Sequence, residues 1–312
     1  MTNVLGCIEV FLNDGFMYAL LALGFYISYT VLDFPDLSVE GTVLLGGVSY
    51  SLLVCAGCNP WLALLVAFCA GAAAGSITGI LHVKCKIRPL LCGILVSTAL
   101  ISINLVMTTI GMGGSLKGDN AITTVSLGRQ STTLLRVFPA TCIPQKVGVL
   151  SLRTLVVFFA VTMIFKYLID WYFKTKSGML LRATGNNETF VAMLGQNAGK
   201  SKIIGLMLGN GCAAAAGALI ATSRGNANQD MGIGTVIIGL ASVIIGLSLF
   251  GRVRFLRPTS KVVLGSIIYQ ACLAIALYLG VPTAYNKLLM AVLFTLALIG
   301  SRARKKGGRT YD

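Results

Sequence analysis

Long apolar runs alternate with short polar stretches along almost the whole of this chain. Several runs reach or approach the ~20 apolar residues that an α-helix needs to cross a bilayer. The pattern predicts an all-α, polytopic transmembrane bundle of about eight to ten membrane helices, folded as one domain over residues 1–312. The predicted spans are residues 14–32, 40–56, 60–82, 89–112, 151–172, 203–222, 231–250, 262–280 and 286–301. A further apolar segment, 3–12, is predicted as a separate interfacial helix or a tenth crossing.

Composition and charge agree with a membrane location and fix the predicted sidedness. The chain has 56% hydrophobic and 11% charged residues. Its net charge of +15 is carried by short connecting loops and the tail, the distribution of the positive-inside rule, and therefore does not indicate nucleic-acid binding. The basic stretches predicted to be cytoplasmic are 84–88, 174–202, 252–261 and 302–312. The stretches predicted to be external are 56–60, 113–150, 223–230 and 281–285, and 113–150 is a plausible docking surface.

The C-terminus is thus expected inside, whereas the side of the N-terminus stays open. Nine full membrane crossings would place the N-terminus outside. A broken or re-entrant element near 33–41, or a tenth crossing at 3–12, puts it inside.

The stretch Asp33-Phe-Pro-Asp36-Leu-Ser-Val-Glu40-Gly41 lies between two of the apolar runs. Ionisable groups at membrane depth usually line a pathway or a protein interface, because lipid cannot solvate them. Pro35 and Gly41 also indicate a helix that stops and restarts, which membranes tolerate only where the backbone is buried in protein or lines a wet cavity. Helix capping accounts for one of the polar residues but not for all. The residues predicted to line a translocation pathway or a subunit interface here are Asp33, Asp36, Ser38 and Glu40.

Asp230 is a second acidic residue near the start of a predicted helix. With Asn228 and Gln229 it either lines the outer part of the pathway or meets a partner protein. Alternatively, it caps the helix that begins at Met231 and interacts with its positive end. Two further residues, Asn104 and Asn210, are predicted to form hydrogen bonds between helices.

The loop 174–202 contains a predicted short amphipathic helix, Glu188–Leu194, which Asn186 or Asn187 caps and Gly195 ends. Its apolar residues are Phe190, Val191 and Leu194. Such a helix suits insertion into a groove on a soluble partner, and it equally suits a loop that lies on the membrane.

Two motifs resemble a known group of proteins. Arg182-Ala-Thr-Gly-Asn-Asn-Glu188 with Leu194-Gly195 is similar to the cytoplasmic coupling segment of bacterial ABC-importer permeases of the ribose and branched-chain amino acid group. Asp36-Leu-Ser-Val-Glu-Gly resembles the group's intramembrane segment, although Glu40 stands where the sugar permeases carry Gly. The longer form from Leu32 is closer to a branch associated with tryptophan- or tyrosine-binding lipoproteins. The resemblance covers nearly the whole chain.

The resemblance implies a homodimeric permease in a bacterial plasma membrane, with one pathway at its two-fold interface. It implies two partners: a cytoplasmic ATP-binding subunit and an extracytoplasmic substrate-binding lipoprotein. The substrate is expected to be a small polar solute, with an aromatic amino acid favoured. The residues implied to couple to the ATPase are Arg182, Thr184, Gly185, Asn186, Asn187, Glu188, Leu194 and Gly195.

Catalysis by this chain is not expected. The sequence has no GxxxxGK[ST] phosphate loop, so ATP and Mg²⁺ are expected on the partner subunit and no cofactor or metal on this chain. One His and ten acidic residues also leave little for a catalytic cluster. The alternative is a secondary transporter that uses Asp36, Glu40 or Asp230 as proton or cation sites.

Overall fold

A computed structural model describes residues 2–114, 122–128, 133–137, 152–251, 253, 255–280, 282 and 285–307. Its helices are α1 Thr2–Phe25, α2 Val39–Cys55, α3 Pro60–Val83, α4 Pro89–Gly111, α5 Leu134–Val137, α6 Leu152–Tyr172, α7 Lys176–Asn186, α8 Glu188–Met193, α9 Ala198–Arg224, α10 Thr235–Leu249, α11 Pro258–Tyr278 and α12 Asn286–Gly307. A π-helix, Tyr26–Val31, continues α1, and a 3₁₀ helix, Gln229–Gly232, precedes α10. Strands β1 (Thr124–Ser126) and β2 (Asn226–Asn228) form one small antiparallel sheet.

Across these residues, seven helical segments are long and apolar enough to span a membrane. They are Ile8–Val31, Pro60–Val83, Pro89–Gly111, Arg153–Tyr172, Ala198–Arg224, Gln229–Leu249 and Pro258–Tyr278. Val39–Cys55 and Leu288–Ile299 are shorter apolar helices. The predicted all-α polytopic bundle is confirmed.

The first helix corrects one prediction. Residues 3–12 are not a separate element, because α1 runs without a break from Thr2 to Phe25. The polar pair Asn13 and Asp14, which separated the two apolar runs, lies inside the helix, and Asn13 is buried. Polar residues that face other helices need not end a membrane helix, since those helices shield them from lipid.

Helix directions follow from the contacts. The Ser266 hydroxyl of α11 donates to the Gly15 carbonyl at 2.9 Å, about midway along both helices. Helices α1 and α11 are antiparallel, because Phe16 lines one cavity with Val263 whereas Val10 lines another with Leu277. A short connection joins α11 to α12, so these two run in opposite directions. Arg224 at the end of α9 reaches Tyr18 of α1, whereas Gly24 lies against Gly209, so α1 and α9 are antiparallel. Within the described residues, α1 therefore begins on the face opposite to the end of α12.

Small residues allow α2 and α3 to pack closely against α9 at the centre of the bundle. Any Cβ added at Gly71 or Gly75 of α3 would overlap atoms of α9, and the same holds for Gly46 of α2. Backbones that touch in this way pack without large side chains between them. The predicted small-residue faces of α3 and α9 therefore meet each other.

Two helices begin well inside the bundle. The segment 32–38 breaks the chain before α2, which starts beside the middle of α9, where Thr42 contacts Asn210. The chain after α9 turns back as β2 and the 3₁₀ helix, so that α10 starts at Thr235 rather than at the predicted 231. From its start beside Asn210, α2 runs to Cys55, which lies next to β1. Helix α10 runs in the opposite direction, toward the start of α11.

The sheet was not predicted. Strand β1 belongs to the predicted external loop 113–150 and pairs with β2 in the register Thr124↔Asn228, Val125↔Ala227 and Ser126↔Asn226. Of that loop, residues 115–121, 129–132 and 138–150 lie outside the described residues, as does the end of the basic tail, 308–312.

Candidate functional site

The break before α2 places Asp36 in a closed hydrogen-bond network. One carboxylate oxygen accepts from the Ser38 amide at 2.8 Å and from the Ser38 hydroxyl at 2.6 Å. The other accepts from Nδ2 of Asn210 at 2.7 Å. With Asp36 only 2% exposed, protein groups replace the water that the carboxylate would otherwise need.

Asn210 links the network to α2. Its Oδ1 accepts from the Thr42 hydroxyl at 2.9 Å and lies 3.2 Å from the Ser38 hydroxyl, while its Nδ2 also donates to the Leu206 carbonyl. The predicted interhelical bonding of Asn210 is confirmed, and so is that of Asn104, whose Nδ2 donates to the Gly41 carbonyl at 3.1 Å. The network thus ties the start of α2 to the middle of α9.

The chain reaches this break through an unusual turn. The π-helix Tyr26–Val31 ends with the Phe34 amide donating to the Ser28 carbonyl at 2.9 Å. Asp33 then adopts φ +54°, a left-handed conformation in which Asp is more common than most residues, and it is exposed. Asp33 therefore does not join the network of Asp36.

Glu40 connects the two breaks. Its side-chain Oε1 accepts from the Gly234 amide at 3.0 Å, immediately before α10 begins. Gly232 lies directly against the Glu40 carbonyl, where a Cβ would overlap it. A carboxylate at a helix N-terminus is favourable because the helix dipole is positive there. The starts of α2 and α10 thus meet at one depth of the bundle.

Asn228 and Asp230 come shortly before this junction in the chain. Asn228 is half-buried in β2, opposite Thr124, and the next side chain, Gln229, donates to the Ile101 carbonyl of α4 at 3.1 Å. Asp230 is exposed in the 3₁₀ helix. The prediction that Asp230 caps a helix beginning at Met231 is wrong, because α10 begins at Thr235 and Glu40 bonds the amide that precedes it.

The segment 174–202, predicted to be cytoplasmic, folds as two helices before α9 rather than the one predicted. The Thr175 hydroxyl caps α7 by accepting from the Gly178 amide, and Asn187 Oδ1 caps α8 by accepting from the Phe190 amide at 3.0 Å. Gly195 follows with φ +70°, which favours glycine. The predicted capping of α8 by Asn187 is confirmed, while Asn186 ends α7.

Helix α7 is seated on the membrane bundle. Thr184 and Leu181 are buried, and a Cβ at Gly185 would overlap the carbonyl of Val31, the last residue of the π-helix. Arg182 is exposed, and its guanidinium carbon lies 4.4 Å from the centre of the Phe173 ring. The contact at Gly185 joins the segment 174–202 to the turn that leads to Asp36.

Helix α8 exposes an apolar face. Phe190, Met193 and Leu194 are 53%, 80% and 58% exposed, and their i, i+3, i+4 spacing puts them on one side. Val191 is buried, so its predicted place on that face is wrong and Met193 takes it. Glu188 forms an ion pair with Lys202 of α9 at 2.7 Å, which links α8 to α9 beside the buried Val191.

The chain is a polytopic bundle in which two helices begin at one depth, and a short capped helix on a basic loop exposes apolar side chains. Together these features are those of an integral membrane transport subunit. The chain belongs to the family described as branched-chain amino acid transport system / permease component, whose model matches residues 7–298. It is therefore a multi-pass membrane permease of the ABC type, a class that works with an ATP-binding subunit and a substrate-binding protein.

Curated relatives agree with this family. The chain is 36% identical to the tyrosine transport system permease protein of Clostridioides difficile (strain R20291), over 92% of this chain and 88% of the relative. It is 26% identical to the galactofuranose transporter permease protein YtfT of Escherichia coli (strain K12), over 96% and 82%. An uncharacterised protein of Rickettsia prowazekii (strain Madrid E) is 28% identical over 89% and 91%. No solved structure matches the chain.

Proposed function

We propose that this chain forms the translocation pathway of an ATP-driven importer for an amino acid, with an aromatic amino acid favoured. The similarity to a tyrosine transport permease over most of both chains supports this substrate class. ATP and Mg²⁺ then bind the partner subunit, and this chain needs no cofactor.

The observation that carries the proposal is the exposed apolar face of α8 on a basic loop. A capped helix with Phe190, Met193 and Leu194 turned outward fits a groove on a soluble protein. Force on α8 would reach the bundle through the Glu188–Lys202 ion pair and, by way of α7, through Gly185 and the π-helix. The coupling role of 182–195 remains a prediction that these contacts support.

The pathway is proposed to pass the meeting point of α2 and α10. Broken helices with their N-termini at one depth are typical of solute sites in transporters. The residues proposed for it are Asp33, Asp36, Ser38, Glu40, Asn228 and Asp230. Asp36 and Ser38 act by fixing the break, because their polar atoms are bonded within the network.

Two copies of the chain are proposed to form the working unit, in a bacterial plasma membrane with the C-terminus cytoplasmic. The apolar outer face of α4 supports a lipid or subunit contact there, since Leu91, Leu95 and Ile110 are half-exposed or more. The basic loops support the orientation. The substrate-binding partner is proposed to be a lipoprotein that docks on the face bearing β1.

A pull-down of the ATP-binding subunit by the membrane-inserted permease tests the coupling assignment. Phe190→Asp and Met193→Asp each place a charge in the proposed apolar contact and should abolish association. Phe255→Asp is the matched control, because Phe255 is 96% exposed on the connection before α11. Undiminished association of both α8 variants would show that α8 is not the docking helix.

Uptake in proteoliposomes tests the function as a whole. Reconstituted with its ATP-binding and substrate-binding partners, the permease should import an aromatic amino acid only when ATP is supplied. Uptake by the permease alone, driven by a proton or sodium gradient, would instead establish the ion-coupled alternative. The family of the chain already disfavours that alternative.

A further inference from the structure

A cavity of about 220 Å³ lies where the end of α6, the middle of α7 and the start of α11 meet. Its lining residues are Asp170, Phe173, Lys174, Arg182, Arg257, Pro258 and Thr259. The cavity belongs neither to the α2–α10 junction nor to the exposed face of α8. Its walls combine three cationic side chains with one carboxylate.

The carboxylate is already neutralised. Asp170 is 8% exposed and accepts from the Thr259 hydroxyl at 2.6 Å and from Arg257 at 3.1 Å, and Lys166 lies 3.5 Å away. Neither Lys174 nor Arg182 has a carboxylate within 4.0 Å in the described part of the chain. The cavity therefore keeps an excess of positive charge on two different elements, the end of α6 and α7.

The neighbouring surface indicates where a ligand for this charge would come from. Tyr167, Leu168 and Trp171 on α6 are 60%, 54% and 67% exposed, directly before the cavity residues Phe173 and Lys174. Tyr and Trp are enriched at the level of lipid head groups, and Leu168 continues the apolar surface. Basic pockets between membrane helices on the cytoplasmic side suit anionic head groups.

We propose that this cavity binds the phosphate of an anionic phospholipid from the adjoining leaflet. The phosphate oxygens accept from Lys174 and Arg182, with the exposed part of Arg257 at the rim, and the acyl chains lie along the α6 surface of Leu168. The volume admits the phosphate and part of a glycerol, and the chains remain outside. Arg and Lys differ here, since Arg182 can donate two parallel hydrogen bonds and Lys174 acts as a point charge.

A bound lipid would add a charged link between α7 and the pair formed by α6 and α11, which Asp170 already joins through Arg257 and Thr259. Arg182 lies on α7, whose Gly185 touches the π-helix before the break. The lipid phosphate would hold α7 at the ends of α6 and α11. The lipid composition of the membrane then regulates how firmly this segment is seated. The binding itself does not depend on the proposed coupling role.

Binding can be measured on the full-length permease in nanodiscs and in detergent. Native mass spectrometry and thermal shift would compare phosphatidylglycerol with phosphatidylcholine, and inorganic phosphate would be the soluble competitor. We expect retention of phosphatidylglycerol and a higher Tm with it. Lys174→Gln and Arg182→Gln should each weaken binding about fivefold, as for ~1 kcal/mol per basic contact near an anionic surface.

Lys84→Gln is the matched control, because Lys84 is an exposed basic residue on the α3–α4 connection. It should bind the anionic lipid as the parent does. The proposal is overturned if the parent shows no preference for the anionic lipid, or if Lys84→Gln loses as much affinity as Lys174→Gln. Equal protection by millimolar inorganic phosphate, without lipid retention, would assign the site to a free phosphate and also overturn it.

Discussion

The hydrogen-bond network of Asp36 and Asn210 leads to a quantitative prediction about stability. Asn210→Ala removes one donor to a buried carboxylate, which costs about 1.5–3 kcal/mol, while the Thr42 hydroxyl keeps the Ser38 carbonyl as its acceptor. We therefore expect a loss of about 1.5–3 kcal/mol in the free energy of unfolding and a fall of several degrees in Tm. Asp36→Ala should cost about 2 kcal/mol, because Asn210 keeps its bond to the Leu206 carbonyl.

The double variant separates this network from simple cavity formation. Asp36→Ala with Asn210→Ala should cost about 1.5–3 kcal/mol less than the sum of the single variants, because neither partner is then left unpaired. Chemical unfolding of the purified permease, followed by circular dichroism, measures the four free energies. Ser242→Ala is the control, since its buried hydroxyl bonds the Ile238 carbonyl of its own helix. It should be additive with Asp36→Ala.

An additive result for Asp36 and Asn210, within about 0.5 kcal/mol, would refute the reasoning. It would mean that the carboxylate finds other partners or water once Asn210 is gone. The start of α2 would then be held by packing alone.

Two further predictions concern the contacts on either side of the break. Gly185→Ala places a Cβ on the Val31 carbonyl, so it should lower the free energy of unfolding by about 1–3 kcal/mol and weaken retention of the ATP-binding subunit. Gly128→Ala is the control, because a Cβ added there meets no atom within 4 Å, and it should change neither stability nor retention. Thermal unfolding measures the stability and co-purification measures the retention. Glu40→Gln keeps an acceptor for the Gly234 amide but loses its charge at the N-terminus of α10, so stability should fall by about 0.3–1 kcal/mol; an unchanged Tm would show that the charge contributes nothing there.

Hydrophobic spacing alone was enough to predict the membrane helices, because lipid demands long apolar segments whatever their packing. The errors lie where polar residues face protein. Asn13 and Asp14 look like a boundary in the sequence, yet α1 passes through them. Helix α7 is also missed, since its large apolar residues form one short run, 179–181, without helical spacing, and Leu181 is buried against the bundle.

The candidate site shows the same division. Asp33, Pro35 and Glu40 predict the break, because charged residues and proline are rare in the middle of a membrane helix unless they serve a function. Nothing local indicates that Asp36 pairs with Asn210, which is 174 positions away in the sequence. The position of Thr42 could have been used to predict its contact with Asn210. It lies one helical turn after Ser38 and therefore faces the same side of α2.

The glycine contacts of α9 with α2 and α3 restrict how the molecule can move. Where backbones touch, sliding by even a fraction of an ångström meets a carbonyl or a Cα, as at Gly46 and Gly75. These three helices should therefore travel as one rigid block. Movement is then expected at the turns just outside the block, 32–35 and 233–234, since Asp36 and Ser38 are tied to α9 and residues 226–228 are paired with β1. Alternating access would be a swing of that block about joints that lie in the membrane interior, rather than a bending of its helices.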